Sequence, residues 1–68
     1  MSEFSERVEE QAKANVAKYG KQDPLVLLQV AQIQMGHVFE CFFKGDGQLK
    51  TEIIHTAAVL HELYRSGK

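Results

Sequence analysis

Cysteine, proline and tryptophan are scarce in this chain of 68 residues: one, one and none. A single Cys41 cannot close an intrachain disulfide, so the chain is not a disulfide-stapled secreted module. Charge of one sign is also lacking. The formal net charge is −1 with Lys and Arg scattered, which excludes the basic stripe of a duplex-binding protein. No unbroken apolar run approaches the roughly 18 residues of a membrane span, so no membrane partner is expected. The opening Met1-Ser2-Glu3-Phe4-Ser5-Glu6 is acidic and lacks the basic and apolar regions of a signal peptide, which points to a cytoplasmic protein. No internal repeat, low-complexity run or long linker is visible, and residues 1–68 read as a single domain.

What is present is apolar surface. Of the residues 44% are hydrophobic, six are Phe or Tyr, and 25% are charged, a globular composition. A chain near this length buries only about 60% of the surface its unfolded form exposes. Without disulfide or metal staples, such a chain is a candidate for self-association.

Hydrophobic spacing reads as an all-α chain of three helices, at about 3–19, 24–44 and 48–65. Phe4, Val8, Ala12, Val16 and Tyr19 recur at helical spacing in the first, which Ser2 can cap and Gly20 can end. Asp23 before Pro24 is the clearest start signal, an N-cap followed by proline at the first helical position. The second helix carries an apolar stripe of Leu28, Ala31, Met35, Val38, Phe39 and Phe42, and a mixed face of Val30, Gln34, His37 and Cys41. No face is fully polar, so this helix is expected to be central. Gly36 mid-helix costs roughly 1 kcal/mol against Ala, which points to a close approach there. Gly45-Asp46-Gly47 is a tight turn, with Asp46 as the expected cap of the third helix. Leu49, Ile53, Thr56, Ala57, Leu60, Leu63 and Tyr64 form the expected main stripe of that helix, with Ile54, Ala58 and His61 almost opposite. The short turn makes helices two and three an antiparallel hairpin. The surplus apolar faces imply a homo-oligomeric helical bundle, a homodimer or a dimer of dimers. Met35, Phe39, Phe42, Ile54, Ala58, Leu60 and His61 are its expected interface.

The chemistry-bearing residues lie on the hairpin. Gln34 and His37 are three apart on one helix, and Glu52 and His55 three apart on the next, so each pair shares a face. A Glu-x-x-His pair facing donors from another helix is how helical bundles hold metals. His37, Glu52 and His55 would suit Zn²⁺, Mn²⁺ or Fe²⁺ better than Mg²⁺. The plain alternative is that these histidines are packing or surface residues. No base and orienter surround Cys41, which reads as a small buried hydrophobe rather than a nucleophile. Phe39, Phe42 and Phe43 read as core.

Lys18-Tyr19-Gly20-Lys21-Gln22-Asp23 leads into a helix with Met35-Gly36-His37-Val38, then Lys44-Gly45-Asp46, then Glu52-Ile53-Ile54-His55-Thr56-Ala57-Ala58-Val59. From about Ala14 to Tyr64 this layout resembles small MazG-like nucleotide pyrophosphohydrolases, in particular short phage and mobile-element members. The resemblance implies an all-α dimer or tetramer that uses Mg²⁺ to cleave nucleoside triphosphates. It implies metal ligands from E-E-x-x-E on one helix and E-x-x-D on the next. Matched through Gly36, these fall on Ile33, Gln34, His37, Glu52 and His55, and only Glu52 is acidic. Mg²⁺ requires hard oxygen ligands, so the departure argues against Mg²⁺-dependent hydrolysis and against any expected cofactor. The expectation is then a non-catalytic module holding a nucleotide or nucleotide-derived ligand through Gln34, His37, Glu52, His55, Lys44 and Lys50. The other expectation is an oligomeric interaction module, for example one that acts on a host protein.

Overall fold

The computed structural model describes residues 2–66. Three α-helices follow one another: α1 (Glu3–Tyr19), α2 (Pro24–Lys44) and α3 (Leu49–Arg65). Among the described residues there is no strand, so the chain is all-α.

Local chemistry sets the helix ends. The Ser2 hydroxyl accepts the Ser5 N–H at 3.1 Å and opens α1. Asp23 Oδ1 accepts the Leu25 N–H at 2.8 Å and opens α2, with Pro24 in the first turn. At the far end of α2, Gly45 adopts φ 64° and ψ 37°, and its N–H closes on the Cys41 carbonyl at 2.9 Å. A side chain at that backbone conformation would be strained, so glycine belongs there. The start of α3 differs from expectation. Gln48 occupies the cap position without a side-chain hydrogen bond to the helix. Asp46 Oδ1 instead accepts the Gln48 N–H at 3.1 Å, which tightens the turn and leaves α3 to begin at Leu49.

The layering also differs. Both α1 and α2 pack on α3 and not on each other. The central helix is therefore α3, not α2. Val8 and Ala12 of α1 meet Ile54 and Ala58 of α3 in one cluster. Leu27 and Ala31 of α2 meet Val59 in a second, flanked by Val30 and Leu63. Thr56 of α3 is also buried, its hydroxyl donating to the Glu52 carbonyl one turn earlier at 2.9 Å. Both clusters are built largely from small or medium side chains, and no large side chain is fully buried.

The apolar stripes are consequently out of phase with expectation. The side of α2 turned to α3 carries Leu27, Val30, Ala31, Gln34, Val38 and Cys41, all buried or half-buried. Leu28, Met35, Phe39 and Phe42, expected in the packed stripe, are exposed. Ala31 and Leu27 admit α3 more closely than aromatic rings could. On α3 the buried arc is Ile54, Thr56, Ala58 and Val59, because helices cover it from two sides, while Ile53, Leu60 and Tyr64 are exposed.

One further feature concerns α2 as a whole. Its 21 residues are long and apolar enough to cross a membrane by length and composition, with 17% of the qualifying window buried. Gln29, Gln32, Gln34, His37 and Glu40 interrupt the apolar residues, so no unbroken run is seen, yet the average passes. A mostly buried core helix passes the same test, whereas most of α2 is exposed.

Candidate functional site

His37 sits late in α2, and Glu52 and His55 sit in the first two turns of α3. The Gly45–Gly47 turn folds these segments together. His37 Nδ1 lies 3.8 Å from Glu52 Oε2, and His55 Nδ1 lies 4.0 Å from the same oxygen. The carboxylate is half-buried and both imidazoles are more exposed. Three of the four convergent residues expected from sequence thus meet. Gln34, the fourth, lies on the packed side of α2, with its Oε1 buried and unpartnered.

The arrangement is a cluster of two imidazoles about one carboxylate. Among the described residues no group of three His, Cys, Asp or Glu side chains could hold a metal ion. Lys44 pairs with Glu40 at 3.7 Å, both exposed, and Lys50 is exposed two residues before Glu52. Surface pairs of this kind contribute little, about 0–1 kcal/mol.

Cys41, half-buried beside the turn, has its thiol pushed above its ordinary range by partial burial and then by the nearby Asp46 carboxylate. The protonated thiol is a poor nucleophile, in keeping with a packing role.

Two concavities flank α3. A smaller one of about 390 Å³ lies between α1 and α3, with Arg7, Gln11, Thr51 and His55 among its walls. A larger one of about 810 Å³ opens between α1 and α2 near the C-terminal end of α3. Neither is lined by Gln34, His37 or Glu52.

The expected interface residues divide. Met35, Phe39, Phe42 and Leu60 are exposed large apolar side chains. Ile54 and Ala58 belong to the chain's own core, because α1 covers them with Val8 and Ala12. His61 lines the larger concavity. Sequence reasoning missed Leu25, Ile33 and Phe43, which are also exposed. Phe43, expected in the core, is 72% exposed and stacks against Phe39 and Phe42 with ring centroids 5.3 Å apart in each pair. At 100° per residue, Leu25, Gln32, Gly36, Phe39 and Phe43 lie on the side of α2 turned away from Leu27, Ala31 and Gln34. The phase set by Asp23 and the Leu27–Ala31 pair was the available signal. No protein family, curated protein or solved structure matches this chain.

Proposed function

We propose that this chain is a non-catalytic, oligomeric interaction module. In this reading α2 and α3 form an antiparallel hairpin, and a second copy covers the outer face of α2. One observation carries it. The chain exposes 5214 Å² at a mass of 7.7 kDa, where a compact monomer of that mass exposes about 4,300 Å². The surplus of about 900 Å² is close to one partner's share of a standard interface. The apolar side chains that stand out of the fold concentrate on α2: Leu25, Leu28, Ile33, Met35, Phe39, Phe42 and Phe43.

Gly36 locates the crossing. It lies in the middle of α2, and a Cβ built on it meets nothing within 4 Å. The isolated chain therefore has no steric need for glycine there, although it costs roughly 1 kcal/mol of helix stability. A partner helix approaching closely at Gly36 supplies the need.

Light scattering tests the reading. The wild-type chain is expected at twice the single-chain mass. Phe39→Asp is expected at the single-chain mass with unchanged helicity. Gly36→Ala is expected to raise helix stability in the dilute monomer by roughly 1 kcal/mol while weakening the dimer. A wild-type chain that stays at single-chain mass at about 100 µM, well above a micromolar dissociation constant, overturns the reading.

A second reading follows the MazG-like resemblance: a nucleotide-derived ligand held beside His37 and His55. The convergence of these imidazoles from two helices on Glu52 supports it. Calorimetry against mono-, di-, tri- and cyclic nucleotides tests it, and no heat at millimolar ligand removes it.

A further inference from the structure

We propose that the concavity between α1 and α2 is a binding site for a small organic anion with an apolar body. Because α1 and α2 pack on α3 but not on each other, they leave a wedge with α3 at its base. The wedge measures about 810 Å³, inside the roughly 300–1,000 Å³ range of small-molecule sites.

Its walls combine two chemistries. Ala12, Val16 and Leu27 supply an aliphatic surface, and Lys13, Lys21 and Arg65 supply three cations, each from a different segment. Lys13 is on α1, Lys21 in the connection to α2, and Arg65 in the last turn of α3. Among the described residues none of the three is within 4.0 Å of a carboxylate oxygen, since the ion pairs found are His37–Glu52, His55–Glu52 and Lys44–Glu40.

Two carboxylates also line the wedge, Glu9 and Glu62. Glu62 Oε2 accepts a hydrogen bond from Asn15 Nδ2 at 3.1 Å, a partner outside the wedge lining. The charge balance of the lining is therefore positive by one, and a hydrogen-bonded amide shares one of the two opposing charges. His61 adds a polar edge. Its Nδ1 is buried and unpartnered. Three exposed cations beside an aliphatic surface suit an anionic head group on a compact apolar body. They do not form the linear track that a nucleic-acid backbone needs.

The shared chemistry is an anionic head, carboxylate or phosphate, on an aliphatic tail. The test uses the full-length, nitrogen-labelled chain and follows its amide signals by NMR. Hexanoate and hexyl phosphate are the probes, with hexanol and inorganic phosphate as controls. Both anionic probes are expected to shift the amides of Ala12, Val16, Lys21 and Leu27 saturably. Each control is expected to bind at least about tenfold more weakly. The tighter of the two probes names the head group. Lys21→Ala with Arg65→Ala is expected to weaken the better probe about tenfold or more, with helicity unchanged by circular dichroism.

No shift at about 10 mM probe overturns the proposal. So does equal binding of hexanol, an unchanged affinity in the double variant, or shifts confined to Phe39 and Phe43 on the outer face of α2. Light scattering tests the covering of α2 separately, so the two proposals fail by different measurements.

Discussion

Helices α2 and α3 invite comparison because their apolarity and burial run in opposite order. The more apolar of the two is α2, rich in Leu, Val and Phe, yet only Leu27 and Ala31 are buried on it. Four residues of α3 are buried, Ile54, Thr56, Ala58 and Val59, and one of them is polar. Position explains the inversion. A helix covered from both sides hides two faces whatever their chemistry, and Thr56 satisfies its hydroxyl within its own helix. A helix at the edge hides one face and leaves the rest outside. Exposed apolar side chains scattered singly are ordinary, whereas those of α2 are grouped on one helix.

The strongest way to break this comparison is to place the same charge on both helices. Ala58 is completely buried, whereas Phe39 is 62% exposed. Ala58→Asp is expected to cost about 4 kcal/mol or more, enough to unfold so small a chain. Loss of helical circular dichroism without denaturant checks it. Phe39→Asp is expected to keep its helicity and change only the assembly mass. If both variants behave alike, the assignment of core and outer face is wrong.

A smaller effect separates two neighbours on α2. Leu27 is buried against Ala31 and Val59, while Leu28 is 54% exposed. Leu27→Ala is expected to cost about 3 kcal/mol in urea unfolding. Leu28→Ala, measured in dilute protein at single-chain mass, is expected to cost less than about 1 kcal/mol. The pair reads the rotational phase of α2 directly.

The smallest effect is at Cys41, where α2 turns toward α3. Partial burial, followed by Asp46, raises its thiol above the ordinary range. Alkylation at mildly alkaline pH is expected to be slower than for an unstructured thiol, and to speed up on unfolding. The sign is fixed by linkage. A raised folded-state value favours the protonated folded form, so the contribution is present below the ordinary thiol range and fades as pH rises through the raised value. A faster reaction in the folded chain would contradict the placement of Cys41.

Much of the fold was legible from residues alone. Asp23-Pro24 marked the start of α2 because an Asp side chain reaches the N–H two residues on, and Gly45 marked its end through a left-handed backbone. The meeting of His37, Glu52 and His55 was legible because a short turn leaves a following helix few places to go. Metal binding was not legible, since spacing along a helix does not say whether donors share a point. The wedge was not legible at all. Lys13, Lys21 and Arg65 belong to three segments and form no motif.

By itself the sequence determined that three helices form, where each one ends, and which side chains carry charge and aromatic surface. Capping bonds and helical hydrogen bonds reach only a few residues, so a short window contains all the atoms involved. Only the tertiary structure decided that α3 is central, that α2 turns Leu27 and Ala31 inward and its phenylalanines outward, and that α1 and α2 leave a wedge. Those choices depend on close packing among residues far apart in the chain. There the small side chains of Ala12, Ala31 and Ala58 bring helices together, and larger rings are left to the surface.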